Sequence, residues 1–327
     1  MIDPNLKQIE LQKPTAGIPK YFPSKIGDFI FVKEFFPDKK VRHFDFAIYE
    51  DKNRKMAVAK QWNKSCKDIN YHWLANEINV YKEIHRVRAQ NPQIDQKYPN
   101  MHIPDLLGVV REKDRLTMLI EQIDGQPLKT PPLEKKVATF QSVIEYMTFL
   151  GGKMDSSAKR VLVKRSMWYV MAIFPFVITL AAVNHPKRFL SILRGGMIFS
   201  LNILRILNQK EKTFVHRDLN PDNIITKGAH SWIIDFQISA ITNPAFEIAG
   251  LMIFMWEDTE IREAFKSGHI MEAIKKDKNK LYSYKILSIY LALYNLGSVK
   301  TIPSDQVFSY LDYALSLKFS KQVLIKK

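Results

Sequence analysis

Two acids and an amide, Asp218, Asn223 and Asp235, stand at the borders of two short apolar runs between Phe214 and Gln237. Ile224-Ile225 and Trp232-Ile233-Ile234 flank a turn containing Gly228, which is the pattern of a short β-hairpin. Such a hairpin holds Asp218 and Asn223 at one end and returns Asp235 to that end as it leaves the second strand. Mg²⁺ takes hard oxygen donors, usually one or two carboxylates, and completes its shell with phosphate oxygens. The remaining acid is then free to orient a hydroxyl and accept its proton. That chemistry is the handling of a metal-bound polyphosphate.

The residues ahead of the hairpin must supply a scaffold and a counter-charge for the phosphates. Three runs rich in Val, Ile and aromatics, Phe29–Phe36, Val41–Tyr49 and Met56–Trp62, read as strands joined by charged turns. The last contains Ala57-Val58-Ala59-Lys60. A helix follows over about Asp68–Val87, with Trp73, Leu74, Ile78, Tyr81 and Ile84 on one apolar face. Glu77 lies beside that face and could turn toward Lys60, with Glu83 as the competing acid. Residues 88–104, broken by Pro92, Pro99 and Pro104, read as a long loop. A hairpin, Leu106–Arg111 with Leu116–Gln122, leads to Ile123-Asp124-Gly125.

His216-Arg217-Asp218, with Asn223 five residues beyond the Asp and Ile234-Asp235-Phe236 after it, resembles the catalytic loop and metal-binding Asp of the protein-kinase-like superfamily. The resemblance implies ATP and Mg²⁺ as cofactors, Asp218 as the catalytic base, and Asn223 and Asp235 as metal ligands. Lys60 resembles the strand Lys that grips the phosphates, Glu77 the helix Glu that steadies it, and Glu121 to Ile123 the hinge that binds the adenine edge. The implied fold is α+β and bilobal: an antiparallel-sheet lobe with one long helix over 24–123, and a mostly helical lobe over 124–327. Residues 1–23, with Pro4, Pro14, Pro19 and Pro23, form an extended arm ahead of them.

The chain departs from the family in instructive places. No glycine stands between Phe36 and Phe46, where kinases lay a Gly-rich loop over the phosphates; Lys39, Lys40 or Arg42 offers side-chain charge instead. Gln237 replaces the usual Gly two residues past Asp235, Asn220 stands where protein kinases carry a basic residue, and Asn243-Pro244 follows too soon for a peptide-docking segment. These features lean toward kinases of small molecules or glycans. Asp218-Leu219-Asn220 with Asn223-Ile224 and Trp232-Ile233-Ile234-Asp235-Phe236 is similar to the lipopolysaccharide core (Kdo or heptose) kinases. That similarity implies a sugar hydroxyl on a lipid-linked glycan as acceptor. A soluble aminoglycoside-type kinase, an atypical protein kinase and a partner-binding pseudokinase are the competing readings.

With 327 residues and 46% hydrophobic composition the chain can bury the core that two lobes need. A net charge of +16 calls for anionic company: nucleotide, phosphorylated substrate or an acidic membrane surface. No compact basic-aromatic module for reading bases is present, so nucleic acid is not expected as a partner. Cys66 is the one cysteine, which excludes an internal disulfide and favours a reducing compartment. The polar start, Met1-Ile2-Asp3-Pro4-Asn5, is not that of a secretory signal, so the expected location is cytoplasmic, peripheral on the inner face of a membrane if lipid is bound.

An apolar, basic stretch over about 159–208 interrupts the second lobe. Met167–Val183 carries no charge and sits at the short limit, about 17 residues, for spanning a bilayer. Pro175 interrupts it, and a second apolar stretch, Met197–Leu207, follows Arg194-Gly195-Gly196. Lys60 and Asp235 must meet around one nucleotide, so a single span between them is excluded. Two readings stay open: buried helices of the second lobe, or a hairpin lying on the leaflet with Trp168, Tyr169 and the Lys/Arg clusters at the headgroups. From Leu251 to Lys327 the pattern is of amphipathic helices.

Overall fold

Alternation with a period of two builds the first lobe. Strands β1 (Lys25–Ile26), β2 (Phe29–Glu34), β3 (Asp45–Glu50) and β4 (Met56–Trp62) form an antiparallel sheet, which is extended later in the chain. In β4 the small side chains Ala57 and Ala59 turn to a core with Ile26, Phe29, Tyr49 and Leu119. Lys60 and Trp62 therefore occupy the other face. This computed structural model describes residues 22–34, 44–62, 64, 66–128, 133–164, 167–207, 212–298 and 302–318. Lys39, Lys40, Arg42, Arg165 and the side chains of Trp168 and Tyr169 lie outside the described residues, as does the arm up to residue 21. Its end is held: the Tyr49 hydroxyl donates to Pro23 O at 2.6 Å and Phe22 is buried.

Helix α1 (Ile69–Gln90) starts where Asp68 accepts the Asn70 N–H at 2.8 Å, a side-chain cap on an otherwise unpaired donor. It runs three residues past the expected end. Leu74, Ile78, Tyr81 and Ile84 are buried as expected; Trp73 is only half-buried, and Asn76, Glu77 and Val80 are buried beside the apolar row.

The expected long loop after α1 is not a loop. It contains α2 (Gln93–Lys97) and β5 (Met101–His102), which pairs in parallel with a strand more than a hundred residues later. Pairing at that distance leaves no local signal. Strands β6 (Leu106–Arg111) and β7 (Leu116–Glu121) complete the first sheet in the order β1-β2-β3-β4-β7-β6.

In the second lobe, β8 (Gln126–Pro127) precedes α3 (Leu133–Lys153), α4 (Ser156–Val161), α5 (Met167–Asn184) and α6 (Phe189–Leu207). Next come β9 (Thr213–Val215), β10 (Ile224–Lys227), β11 (His230–Ile233) and β12 (Ala240–Thr242). The hairpin β10–β11 pairs Ile224 with Ile233 and Lys227 with His230, as the sequence pattern requires. It sits between β5 and β8, while β9 and β12 form a separate pair. Gly125 lets the interlobe segment cross β10 closely: a Cβ there would lie 2.6 Å from Ile225 Cγ2 and 2.8 Å from Thr226 O.

Helices α7 (Ala245–Met255), α8 (Thr259–Ser267), α9 (His269–Lys276), α10 (Lys278–Ser298) and α11 (Ser304–Ser316) finish the lobe. The centre is α10, whose Ile286, Leu287, Ile289, Ala292 and Leu293 are inaccessible and packed among α5, α6, α7 and α11. Pro175 interrupts the apolar run without stopping α5, and the apolar stretch Met197–Leu207 is the second half of α6, which begins at Phe189 and contains Arg194-Gly195-Gly196. Those glycines serve packing. A Cβ at Gly196 would lie 2.6 Å from Ile178 Cδ1, so α5 and α6 approach closely there.

Candidate active site

The face of β4 away from the alanine core carries Lys60 to the junction of the lobes. Its Nζ donates to Glu77 Oε2 of α1 at 2.8 Å and to Asp235 Oδ1 at 2.7 Å. The Phe44 ring lies 4.8 Å from the same nitrogen. Burial by itself pushes the Lys60 ammonium down, but the Asp235 and Glu77 carboxylates outweigh it and hold its pKa above the ordinary value. The amine stays charged. For Glu77 burial is the larger effect and raises its pKa, with Lys60 pulling in the opposite direction. Glu83, the competing acid, pairs instead with Arg86 Nε at 2.8 Å.

The loop between β9 and β10 is held by a buried histidine. Burial drops the His216 pKa to about 4, so the ring is neutral at neutral pH. The Asp218 N–H points at its Nδ1 at 3.3 Å, which leaves Nε2 to carry the proton and donate to Ile234 O at 2.9 Å. One ring thus ties the residue before Asp235 to the backbone of Asp218. Asn220 caps the single 3₁₀ turn Pro221–Asn223 by accepting the Asp222 and Asn223 N–H groups at 2.9 and 3.2 Å. Its amide donates back to Asp218 Oδ1 at 3.3 Å. Arg217 and Asp235 have φ of 70° and 65°. Non-glycine residues pay about 1–3 kcal/mol to sit there and do so only where their surroundings fix them.

The Asn223 amide donates to Asp218 O at 2.7 Å and to Asp218 Oδ2 at 3.3 Å. Its Oδ1 therefore faces away from Asp218 as a hard oxygen donor. Among the described residues no group of three or more His, Cys, Asp or Glu side chains could hold a metal unaided. One carboxylate, Asp235, with one amide oxygen, Asn223, instead suits an Mg²⁺ that brings phosphate oxygens with it.

The structure thus brings Lys60, Glu77 and Asp235 together, and Asp218 with Asn223. Lys39 and Lys40 are outside the described residues. Two of the three expected hinge N–H groups turn into the protein, Glu121 donating to Asp105 O at 2.9 Å and Gln122 to Met56 O at 3.2 Å.

Two further residues escaped the sequence reading. Asn76 is buried on α1, and its amide donates to Gln237 O at 3.1 Å and Ser239 O at 3.0 Å, clamping the segment after Asp235. An amide next to Glu77 on a face that had to be buried was the available signal. Glu247, the lone acid in the apolar helix α7, is buried with its Oε2 accepting the Arg217 N–H at 3.2 Å. Burial pushes its carboxyl up to about 7. Phe236 is inaccessible among Tyr81, Phe214 and His216, with ring centroids 5.4, 6.3 and 4.6 Å away.

Residues 197–276, which contain Asp218, Asn223 and Asp235, match the phosphotransferase enzyme family. No curated protein matches the chain. Among solved structures, the fold is similar to a thermostable mutant of the aminoglycoside phosphotransferase APH(4)-Ia, at 14% identity and a TM-score of 0.54, covering 89% of this chain and 95% of that one. It is also similar to the amicoumacin kinase hAmiN in complex with AMP-PNP, Ca²⁺ and Ami, at 12% identity, TM-score 0.58, covering 86% and 87%. A third similar fold is an aminoglycoside phosphotransferase from Alicyclobacillus acidocaldarius, at 13% identity, TM-score 0.51, covering 93% and 92%. The architecture is protein-kinase-like, and the family match covers the segment that carries Asp218, Asn223 and Asp235.

Proposed function

We propose that this protein-kinase-like phosphotransferase uses ATP and Mg²⁺ to phosphorylate a hydroxyl of a small, sugar-like acceptor. The observation that carries the reading is the bond from Lys60 Nζ to Asp235 Oδ1 at 2.7 Å, made across 175 residues of sequence. A cation from one lobe and an acid from the other meet at one point, where a nucleotide's phosphates can engage the cation directly and the acid through Mg²⁺. Solved relatives of the same fold support a small acceptor: one is a ternary complex with ADP and hygromycin B, another binds AMP-PNP with Ami.

Each residue has a distinct task. Lys60 neutralises phosphate oxygens, and Glu77 keeps its amine on the cleft face. Asp235 and Asn223 would hold Mg²⁺, which when bound offsets charge on the transferring phosphoryl group. Asp218 orients the acceptor hydroxyl and takes its proton. Asn220 and Asn223 fix that carboxylate from either side, so little reorganisation is needed in the transition state. Ile123 is the hinge peptide best placed for the adenine edge, because Glu121 and Gln122 spend their N–H groups within the lobe. Residues 236–244 alone separate Asp235 from α7, too short a segment to dock a peptide strand, which argues against a protein acceptor.

A second reading, a lipid-linked glycan such as lipopolysaccharide core, is favoured by the outward apolar side of α6 and the net charge of +16. Phosphate transfer from labelled ATP to a panel of aminoglycosides, free sugars and glycolipids, with Asp218→Asn as control, tests both readings. Transfer to no hydroxyl acceptor by the native chain, or equal transfer by Asp218→Asn, would overturn them.

A further inference from the structure

Helix α6 is apolar on two opposite sides, and among the described residues only one is packed against the protein. Ile192, Phe199, Ile203 and Ile206 are buried. Leu190, Leu193, Met197, Leu201 and Leu204 recur at three- and four-residue spacing on the other side, forming one continuous stripe. That stripe is open: Leu190 is 78% exposed, Met197 56%, Leu201 79% and Leu204 53%. On α5, Phe176 and Val183, seven residues apart, are exposed as well. Scattered surface leucines need no explanation, but an unbroken row along a whole helix marks something that is covered in use.

The charges around the stripe decide what covers it. Between residues 167 and 207 there is no Asp or Glu, while Lys187, Arg188, Arg194 and Arg205 are present and exposed. Arg194 and Arg205 stand four residues from Leu190 and Leu201, on the flank of the stripe. Arg188 reaches back to Asp312 at 2.7 Å. A second copy of this face would bring cations against cations. Spanning is excluded too, because the buried side of α6 is packed in the second lobe and Lys60 bonds Asp235 across the lobes.

We infer that α6, with the outer side of α5, docks flat on an anionic phospholipid bilayer. The leucine stripe enters the boundary between headgroups and acyl chains, and Arg194 and Lys187 meet lipid phosphates. The inference does not depend on which acceptor the kinase uses.

The test is flotation of the full chain with vesicles of phosphatidylcholine alone or mixed with phosphatidylglycerol. Binding is expected only to the mixed vesicles and should weaken with salt. A Leu190→Ser, Met197→Ser, Leu201→Ser triple variant should lose binding by on the order of tenfold or more. Arg194→Gln with Lys187→Gln should lose on the order of tenfold together. A melting temperature unchanged by these surface substitutions shows that the fold persists. As a second measurement, Leu201→Cys carrying a polarity-sensitive fluorophore should shift to the blue when mixed vesicles are added. Equal flotation of the triple variant, no spectral shift, or a dimer that the triple variant abolishes without any lipid binding would each overturn the inference.

Discussion

The junction of the lobes and the outer side of α6 invert the usual partition of side chains in opposite senses. At the junction, Lys60, Glu77, Asn76 and His216 are charged or polar and buried. Along α6, Leu190, Met197 and Leu201 are apolar and exposed. Buried polar groups are costly unless each finds a partner, and here the partners come from distant parts of the chain. Exposed leucines cost the fold little, since the isolated molecule loses only a burial it never had. The first inversion is thus structural and chemical together, and removing a member should damage both. The second belongs to what happens outside the fold, and removing it should spare stability.

The strongest way to sharpen this contrast is Asp218→Asn. With Asp218 in the base role proposed above, its loss should lower kcat by about 10²–10⁴-fold, while nucleotide affinity measured by fluorescence titration should hardly change. Next is Lys60→Ala, which leaves Glu77 and Asp235 without their shared cation; removal of one partner from a buried pair costs about 3–5 kcal/mol, read as a lower denaturant midpoint together with lost turnover.

Glu247→Gln tests the buried acid through pH. An acid whose folded pKa is raised, here from 4.5 to about 7, favours the folded state below pH 4.5 and loses that contribution as pH climbs through 7. The native chain should therefore lose about 3 kcal/mol relative to Glu247→Gln between pH 4.5 and pH 8, measured by denaturation at each pH. Asn76→Leu removes both clamping donors and leaves the Gln237 and Ser239 carbonyls short of a partner, for about 1–3 kcal/mol. It should also lower kcat more than it raises KM, since the segment after Asp235 loosens. The smallest effect is expected from Leu190→Ser with Leu201→Ser, within about 0.5 kcal/mol of the native stability per site. A large loss there would break the contrast, because it would mean the stripe is covered within the molecule.

The β10–β11 hairpin and the strands around Lys60 were legible because their signals are local: alternation, turn residues and fixed spacing. Glu77 was reached through the family resemblance, with Glu83 on the same helix as its competitor until the structure paired Glu77 with Lys60. Asn76, Glu247 and β5 were not legible in the same way, since each is defined by a partner far along the chain. The role of Gly195 and Gly196 is non-local in the same way, since in the fold they let α6 approach α5 and α10. The same limit applies to the Leu190–Leu204 stripe. Composition showed that α6 is apolar, and only the packing of its opposite side revealed that the stripe has nothing to cover it among the described residues.

For inhibitor chemistry, the aromatic cage around Phe236 has a practical meaning. A compound that reaches behind Lys60 by rotating that ring outward would have to part it from Tyr81, Phe214 and His216 and pull two carbonyls away from Asn76. Compounds that engage the Lys60 ammonium without displacing the ring leave all of those contacts intact and are the better starting points.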